Sequence, residues 1–252
     1  MARKRGKNRR RRRGRFSVLL RLFCVLLIIG ALIAALTLFF KVQSIVVSGN
    51  ERYTDAEVIE ASGIHMEDNL FLLNKYGVTQ TIFETLPYIE EAAVNRKLPD
   101  AIVITVRECT AVAGIVVPEG VWLVSESGKL LELAQSVPQG CPAVTGAVPV
   151  EPELSGMLSF GTERESAVDT LLALLRAARA QEMLAGIGGI DLSDATEIRL
   201  EYLDRFSVRL PWGSDPDYKL RSLRAVADYL ELNEAGEINL MADGKASFIP
   251  KE

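Results

Sequence analysis

The sequence predicts an α+β protein with a single transmembrane helix, in which a β-α-α-β-β domain precedes a β-rich domain that carries two helices. Three observations support this prediction. Residues 16–40 form an apolar run interrupted by a single charge, Arg21. Two helical patterns then stand between a strand and a β-hairpin, an order typical of a sheet with helices on one face. Beyond residue 110, short alternating segments are separated by Gly and Pro, which is typical of a β-rich unit.

The apolar run is long enough to cross a bilayer. The segment from Leu22 to Phe40 contains no charged residue, and as a helix it would extend roughly 28 Å, close to the hydrocarbon thickness of a membrane. A signal peptide has a shorter apolar core of about 7–15 residues, followed by a small-residue cleavage site. Here the run continues past Ala34 and Ala35 into LTLFF. We therefore expect an uncleaved anchor.

Charge is distributed very unevenly on the two sides of this anchor. Residues 1–41 hold 12 of the 29 Lys and Arg residues and none of the 33 Asp and Glu residues. A basic run of this kind could bind nucleic acid through phosphates. Its position directly beside an apolar helix favours a cytoplasmic flank that binds anionic lipid instead. The predicted topology is thus N-terminus in the cytoplasm and C-terminus outside.

The segment that follows the anchor predicts one compact α+β unit. Thr54 followed by Glu57 is a capping box, which starts a helix that Gly63 ends. Pro87 stops a second helix because proline cannot continue a helical ladder. The predicted strands are residues 41–48, 89–96 and 101–108, and Leu98-Pro99-Asp100 turns the hairpin.

Three short motifs make a family resemblance specific. They are IVVSGN at residues 45–50, NLF at 69–71 and VNRKLPD at 94–100. Together with the preceding anchor, they resemble the POTRA domain of the FtsQ/DivIB cell-division proteins. The resemblance implies the β-α-α-β-β fold already predicted from the residue patterns.

The rest of the chain resembles the β domain of the same family. Residues 125–128 are predicted to form a hairpin turn between two strands. Residues 142–146 read PAVTG, similar to a Pro-x-x-x-Gly stretch of the family. A helix over 165–184, three strands, a helix capped by Asp215-Pro216 and two last strands follow. The predicted organisation is a cytoplasmic basic segment (1–15), a transmembrane helix (16–40), a POTRA domain (41–109) and a β domain (110–252).

No residue pattern in the sequence predicts catalysis. The single histidine, His65, lies in a polar loop without a partnering Cys or Ser motif. Glu90 and Glu91 are adjacent on a strand and point to opposite faces. Residues 186–189 (GIGG) lack the lysine of a phosphate-binding loop. We expect no enzyme activity, no cofactor and no metal, and the pairing of Cys109 with Cys141 is left open.

The resemblance implies a non-catalytic division scaffold at the outer face of the cell membrane and at the septum, which recruits and regulates partners for septal peptidoglycan synthesis. The implied partners are small coiled-coil membrane proteins of the FtsB/DivIC and FtsL types; nucleic acid and small-molecule substrates are not expected. Alternatives are a POTRA-containing transport or assembly component and a membrane-anchored cell-wall enzyme. Residues that match the family's partner-binding region are Met241, Asp243, Gly244, Lys245, Ala246 and Phe248.

Overall fold

The computed structural model describes residues 13–242 and 244–251. Most of the predicted cytoplasmic segment, residues 1–12, lies outside this range. The elements up to the first hairpin are α1 (Arg13–Phe39), β1 (Ser44–Ser48), α2 (Asp55–Ser62), α3 (Lys75–Thr85), β2 (Ile89–Lys97) and β3 (Ala101–Glu108). The elements that follow are β4 (Ala113–Val117), β5 (Gly120–Val124), β6 (Leu130–Ala134), β7 (Ala143–Thr145), α4 (Glu165–Ala180), β8 (Ile187–Asp191), β9 (Glu197–Tyr202), β10 (Phe206–Pro211), α5 (Pro216–Tyr229), β11 (Gly236–Asn239) and β12 (Ser247–Pro250).

The first helix, α1, stands apart from the folded domains. Its segment Val18–Phe39 is long and apolar enough to cross a membrane, and none of that length is buried inside the protein. A core helix of a soluble protein buries its apolar face against other elements. Because α1 buries none of its apolar length, it is not a core helix of the folded domains. This is the helix that the sequence predicts as the anchor.

A three-stranded sheet with two helices on one face forms the first folded domain, for which the sequence predicts a POTRA fold. The strand order is β1-β3-β2, with β1 parallel and β2 antiparallel to β3. The capping box predicted at Thr54 and Glu57 is present, and Gly63 ends α2 in the left-handed conformation. Val58 and Ile82 from the helices pack with Ile102 and Ile104 from the sheet in the core.

A nine-stranded sheet forms the second domain, with the order β12-β11-β10-β9-β8-β7-β4-β5-β6. Helices α4 and α5 supply apolar residues to the core of this domain, among them Leu171, Leu175, Leu220 and Leu223. Asp215 caps α5 through the backbone N–H groups of Asp217 and Tyr218, as the sequence predicts. Because β12 is the last strand in the order, one of its edges has no partner strand within the part of the chain that the structure describes.

Two local predictions differ from the structure, and one strand was not predicted. The first strand begins at Ser44 and not at Lys41, because residues 41–43 pair with Asp68, Asn69 and Asp100 before the ladder with β3 starts. Helix α4 ends at Ala180 and not at residue 184, since Glu182 adopts a positive φ of 57°. Residues 143–145 form β7, which is held by parallel pairing to β4 and β8 and thus by contacts distant in sequence.

A buried lysine joins the two domains. Lys129, in the turn before β6, has no exposed surface. Its ammonium donates to the carbonyls of Phe83 (2.9 Å), Ile89 (2.9 Å) and Leu86 (3.5 Å), and it lies 3.4 Å from the centre of the Phe83 ring. The last carbonyls of a helix have no partner within the helix and carry the negative end of its dipole. The second domain therefore caps the end of α3 with a cation.

Apolar packing surrounds this contact. Tyr88, between α3 and β2, is buried with Val121, Leu123 and Leu131 of the second domain. Burial, together with a hydrogen bond to the carboxylate of Glu132, raises the pKa of the Tyr88 hydroxyl to about 12. Burial also lowers the pKa of Lys129 to about 8. The junction is therefore a desolvated contact between the two domains.

Candidate partner-binding edge

The candidate site is built from the last two strands and the turn between them. Strand β11 ends at Asn239, whose side-chain oxygen accepts from the N–H of Met241 at 3.0 Å. Gly244 lies in the turn with a φ of 69°, a conformation that glycine adopts at little cost. Strand β12 then returns antiparallel to β11, pairing Ser247 with Asn239. The turn thus reverses the chain and leaves β12 at the edge of the sheet.

Alternation along β12 decides which backbone groups face outward. The N–H of Lys251 donates to the carbonyl of Ala235 at 2.8 Å, so residue 251 faces β11. In an antiparallel ladder, successive residues face opposite edges. Ser247 and Ile249 consequently face β11, whereas Phe248 directs its N–H group to the free edge. The same alternation, continued one residue before the strand, directs the N–H of Ala246 to that edge. Unpaired main-chain groups of this kind can accept a strand from another chain, here at Phe248 and on its N-terminal side, because Pro250 has no N–H to donate.

The side chain of Phe248 fixes β12 to the core. Its ring lies edge-on to Phe206 of β10, with the ring centroids 6.1 Å apart. Ile249, next in the strand, points to the other face and is 56% exposed. Phe248 therefore has two roles in the structure: its side chain packs inward and its main chain faces outward.

A second buried lysine holds the turn, and the sequence analysis missed it. Lys219 of α5 is only 2% exposed, and its ammonium donates to the carbonyls of Leu240 (2.8 Å) and Ala242 (3.3 Å). A charged residue rarely lies buried without such contacts. Its spacing of four residues from Leu223 and seven from Val226 places it on the apolar face of α5, which was a sequence signal for burial. Lys219 orients the chain where it leaves β11.

The structure brings the predicted site residues to one corner but in different settings. Lys245 and Ala246 are exposed, Met241 is half-buried, and Phe248 is half-buried against the core. Asp243 lies outside the described residues. Gly244, Lys245 and Ala246 also line a cleft of about 230 Å³ together with Tyr218 and Val226 of α5. That these residues bind a partner stays a prediction.

The opposite side of β12 carries a larger groove of about 630 Å³, lined by residues of β10, β11 and β12 that include Ile249. An ion-pair ladder crosses the same sheet. Glu197 of β9 accepts from Arg209 at 2.6 Å and from Arg199 at 2.8 Å, while Arg209 also reaches Glu237 of β11 at 3.3 Å. Arg209 first, and then Arg199, hold the pKa of the Glu197 carboxyl below its usual value. The ladder keeps this part of the sheet charged beside the groove.

The remaining reactive side chains do not converge on this edge. Cys109 and Cys141 are both half-buried and are not bonded to each other in the structure. Burial raises the pKa of Cys109 to about 12, so its thiol stays protonated at neutral pH. His65 is exposed in the loop after α2, with Asp68 3.9 Å from its ring nitrogen. Among the described residues no cluster of three His, Cys, Asp or Glu could hold a metal ion.

Comparison with known proteins identifies the family. A family model described as the FtsQ-type POTRA domain matches residues 40–108. The cell division protein FtsQ of Corynebacterium glutamicum is 30% identical over 190 residues, which cover 75% of this chain and 79% of that protein. The chain belongs to the FtsQ/DivIB family of cell division proteins. The family resemblance and the α+β fold class predicted from the sequence are thereby confirmed.

Other members of the family match a shorter part. The cell division protein DivIB of Clostridium tetani is 32% identical over 99 residues, 39% of this chain and 37% of that protein. The chain therefore spans less than two-fifths of the length of that relative. The extracytoplasmic domain of DivIB from Geobacillus stearothermophilus overlaps 50% of this chain and 97% of that domain, at 18% identity and a TM-score of 0.34. A TM-score of 0.34 is too low to support a conclusion about this chain beyond that of the sequence match.

Proposed function

We propose that this chain is a non-catalytic scaffold of the division machinery, which recruits and regulates other division membrane proteins for septal peptidoglycan synthesis. The free edge of β12 is the single observation that carries the proposal. It offers outward main-chain groups at Ala246 and Phe248, beside exposed side chains that can set specificity. Membership of the FtsQ/DivIB family supports a role in cell division.

The proposed partners are small membrane proteins with coiled coils, of the FtsB/DivIC and FtsL types. A strand from such a partner would extend the nine-stranded sheet at β12 through main-chain hydrogen bonds. The proposal assigns no catalytic step, and the raised pKa of Cys109 is in keeping with an unreactive thiol. The basic N-terminal segment is proposed to bind anionic lipid at the cytoplasmic face, next to α1.

Depletion of the chain from growing cells is expected to give long filaments, because septal synthesis would lose the scaffold that gathers its components. Cell length after depletion, measured by microscopy, checks this outcome. Re-expression of the native chain should restore normal length and serves as the control. Cells that keep dividing normally after depletion, with no related protein to compensate, would contradict the scaffold role.

The proposed topology has its own expected result. A reporter enzyme that folds only outside the cytoplasm, fused after Glu252, should be active, and a reporter that folds only in the cytoplasm should be inactive at the same position. The reason is the basic flank before α1, which stays on the cytoplasmic side. Activity of the two reporters in the reverse order would overturn the placement of the β domain and of its edge strand.

A further inference from the structure

The end of the POTRA-type domain nearest α1 is unusually apolar for a surface that would face water. The chain passes from α1 into the domain without a linker. The residue directly after α1, Phe40, already accepts a hydrogen bond at its carbonyl from the N–H of Leu70 at 2.9 Å. Val42 and Asp68 pair in the same way, with a distance of 2.8 Å from the Val42 nitrogen to the Asp68 oxygen. The loop of residues 66–73 is thus fixed beside the end of the helix.

One side chain reports how far this loop reaches along α1. The amide nitrogen of Asn69 donates to the carbonyls of Leu36 (3.1 Å) and Thr37 (3.2 Å). Both residues lie inside the apolar span Val18–Phe39, about 3–5 Å before its end at a rise of 1.5 Å per residue. Leu36 is 37% exposed, whereas the other large apolar residues of the span are 47–76% exposed. The loop therefore contacts the last turn of α1 on the side of Leu36, whereas Leu38 and Phe39 stay exposed.

The hairpin of the domain lies at the same end. Strand β1 starts at Ser44, opposite Ala101, and the N–H of Gln43 donates to the carbonyl of Asp100 at 2.8 Å. The β2–β3 turn consequently sits beside the point where the chain leaves α1. Arg96 ties this turn to the loop, since its guanidinium donates to the carbonyl of Leu73 at 2.7 Å.

Large apolar side chains project from these two segments, and from the first turn of α3, into open space. Phe71 packs its ring against Phe40, with centroids 5.0 Å apart, yet it remains 44% exposed. The others are more exposed: Met66 (58%), Leu72 (77%), Tyr76 (90%) and Leu98 (57%). Lys97, next to Leu98, is an exposed cation. Large exposed apolar side chains gathered at one end of a domain mark a surface that contacts a partner or a membrane.

We infer that this end of the domain is itself a lipid-binding surface, which we define as the interfacial patch: Met66, Phe71, Leu72, Tyr76 and Leu98. Its ligand is the headgroup and upper acyl region of the outer leaflet. Continuity with α1 argues for lipid over a protein partner, because the patch begins at the depth of the last turn of the apolar span. Aromatic and apolar groups with adjacent cations are the residue types that proteins place at a membrane interface.

The inference rests on the proposed membrane insertion of α1 and goes beyond it, since an anchored domain need not touch lipid. With the patch inserted, the domain has two attachments to the bilayer, which fix its tilt. The proposed scaffold would then hold the edge of β12 at a set orientation to the membrane.

Fluorescence of the full-length chain in nanodiscs tests the patch. The nanodiscs contain phosphatidylethanolamine and phosphatidylglycerol, with or without phosphatidylcholine brominated near the top of its acyl chains. Leu72→Trp and Tyr76→Trp each add a tryptophan at an exposed patch position, and Tyr229→Trp adds one at an equally exposed site on α5. Leu26→Trp places one inside the span. The native chain supplies the background of Trp122 and Trp212.

We expect the bromines to quench the added emission of Leu72→Trp and Tyr76→Trp, and to leave that of Tyr229→Trp unchanged. The patch emission should also be shifted to the blue of Tyr229→Trp. Emission from Leu72→Trp and Tyr76→Trp that is as insensitive to bromine as Tyr229→Trp, with Leu26→Trp quenched, would overturn the patch and leave the anchor standing. Loss of quenching at Leu26→Trp would instead overturn the anchor and the patch together.

Discussion

Replacing Lys129 with methionine is expected to destabilise the folded chain by about 2–4 kcal/mol at pH 7. Three backbone carbonyls at the end of α3 and the start of β2 lose their donor, and those of Leu86 and Ile89 are buried away from water. Burying the ammonium costs desolvation energy, as its lowered pKa of about 8 shows, and the substitution regains that energy. The unpaired carbonyls outweigh that gain, because methionine fills the space without supplying a hydrogen-bond donor. Unfolding of the detergent-solubilised chain by urea measures the change.

Lys251→Met is the matched control, since Lys251 is exposed and its loss should change stability by less than about 0.5 kcal/mol. If Lys129→Met unfolds with the same midpoint as this control, the ammonium is not what joins the domains. Separate unfolding of the two domains in the variant, in place of a common transition, would be a further sign of a broken junction.

The stabilities of the native chain and of Lys129→Met should also differ in their dependence on pH. The folded pKa of Lys129, about 8, is below the usual 10.5. Between those values the unfolded chain binds more protons at this residue, so its contribution to the free energy of unfolding rises with pH. Cys109, with a pKa raised from 9.0 to about 12, contributes with the opposite sign. The difference between the native chain and Lys129→Met should therefore increase from pH 8 to pH 10.5, since the Cys109 thiol stays protonated in both folded proteins over this range.

Ala246→Pro is expected to reduce recovery of the small coiled-coil partner on the order of tenfold, which corresponds to about 1.4 kcal/mol. Proline removes the N–H that residue 246 directs to the free edge, and its ring obstructs an added strand. The side chain of Ala246 is exposed, so the core of the domain loses no contact. Co-purification of the partner with the tagged full-length chain measures the effect.

Ala246→Ser keeps the N–H and is the control for the change of side chain; it should recover the partner as well as the native chain does. The melting temperature of Ala246→Pro must also match the native value, which separates a lost edge from a lost fold. Full recovery of the partner by a folded Ala246→Pro protein would place the interface on another surface. The grooves on either side of β12 would then be the next surfaces to test.

The fold was largely accessible from the sequence because its strongest signals are local. The capping box at Thr54, the stop at Gly63 and the Asp215 cap of α5 each depend on residues within a few positions of one another, and all are present in the structure. Strand β7 was not accessible in this way. Its three residues gain their partners from β4 and β8, and no local pattern reports pairing with distant strands.

For the candidate site, too, the sequence predicted one part and the structure supplied the rest. A resemblance to the family pointed to residues 241–248, and the structure adds which of their main-chain groups face outward. That distinction comes from the register of β11 against β12, which a sequence motif does not specify. Lys219 and Lys129 were missed for a related reason. A lysine is usually exposed, and its burial here depends on carbonyls that lie 21–23 and 40–46 residues away in the chain.

By itself the sequence determined the apolar span, the charge asymmetry around it, the α+β class and the family. Apolar length, charge asymmetry and capping motifs are properties of contiguous residues, so the sequence carries them in full. Only the tertiary structure decided how the parts are joined and oriented. The Lys129 junction, the free edge of β12 and the interfacial patch around Leu72 each depend on segments brought together from distant positions. Their energies come from desolvation and unpaired backbone groups, which exist only once the chain has folded.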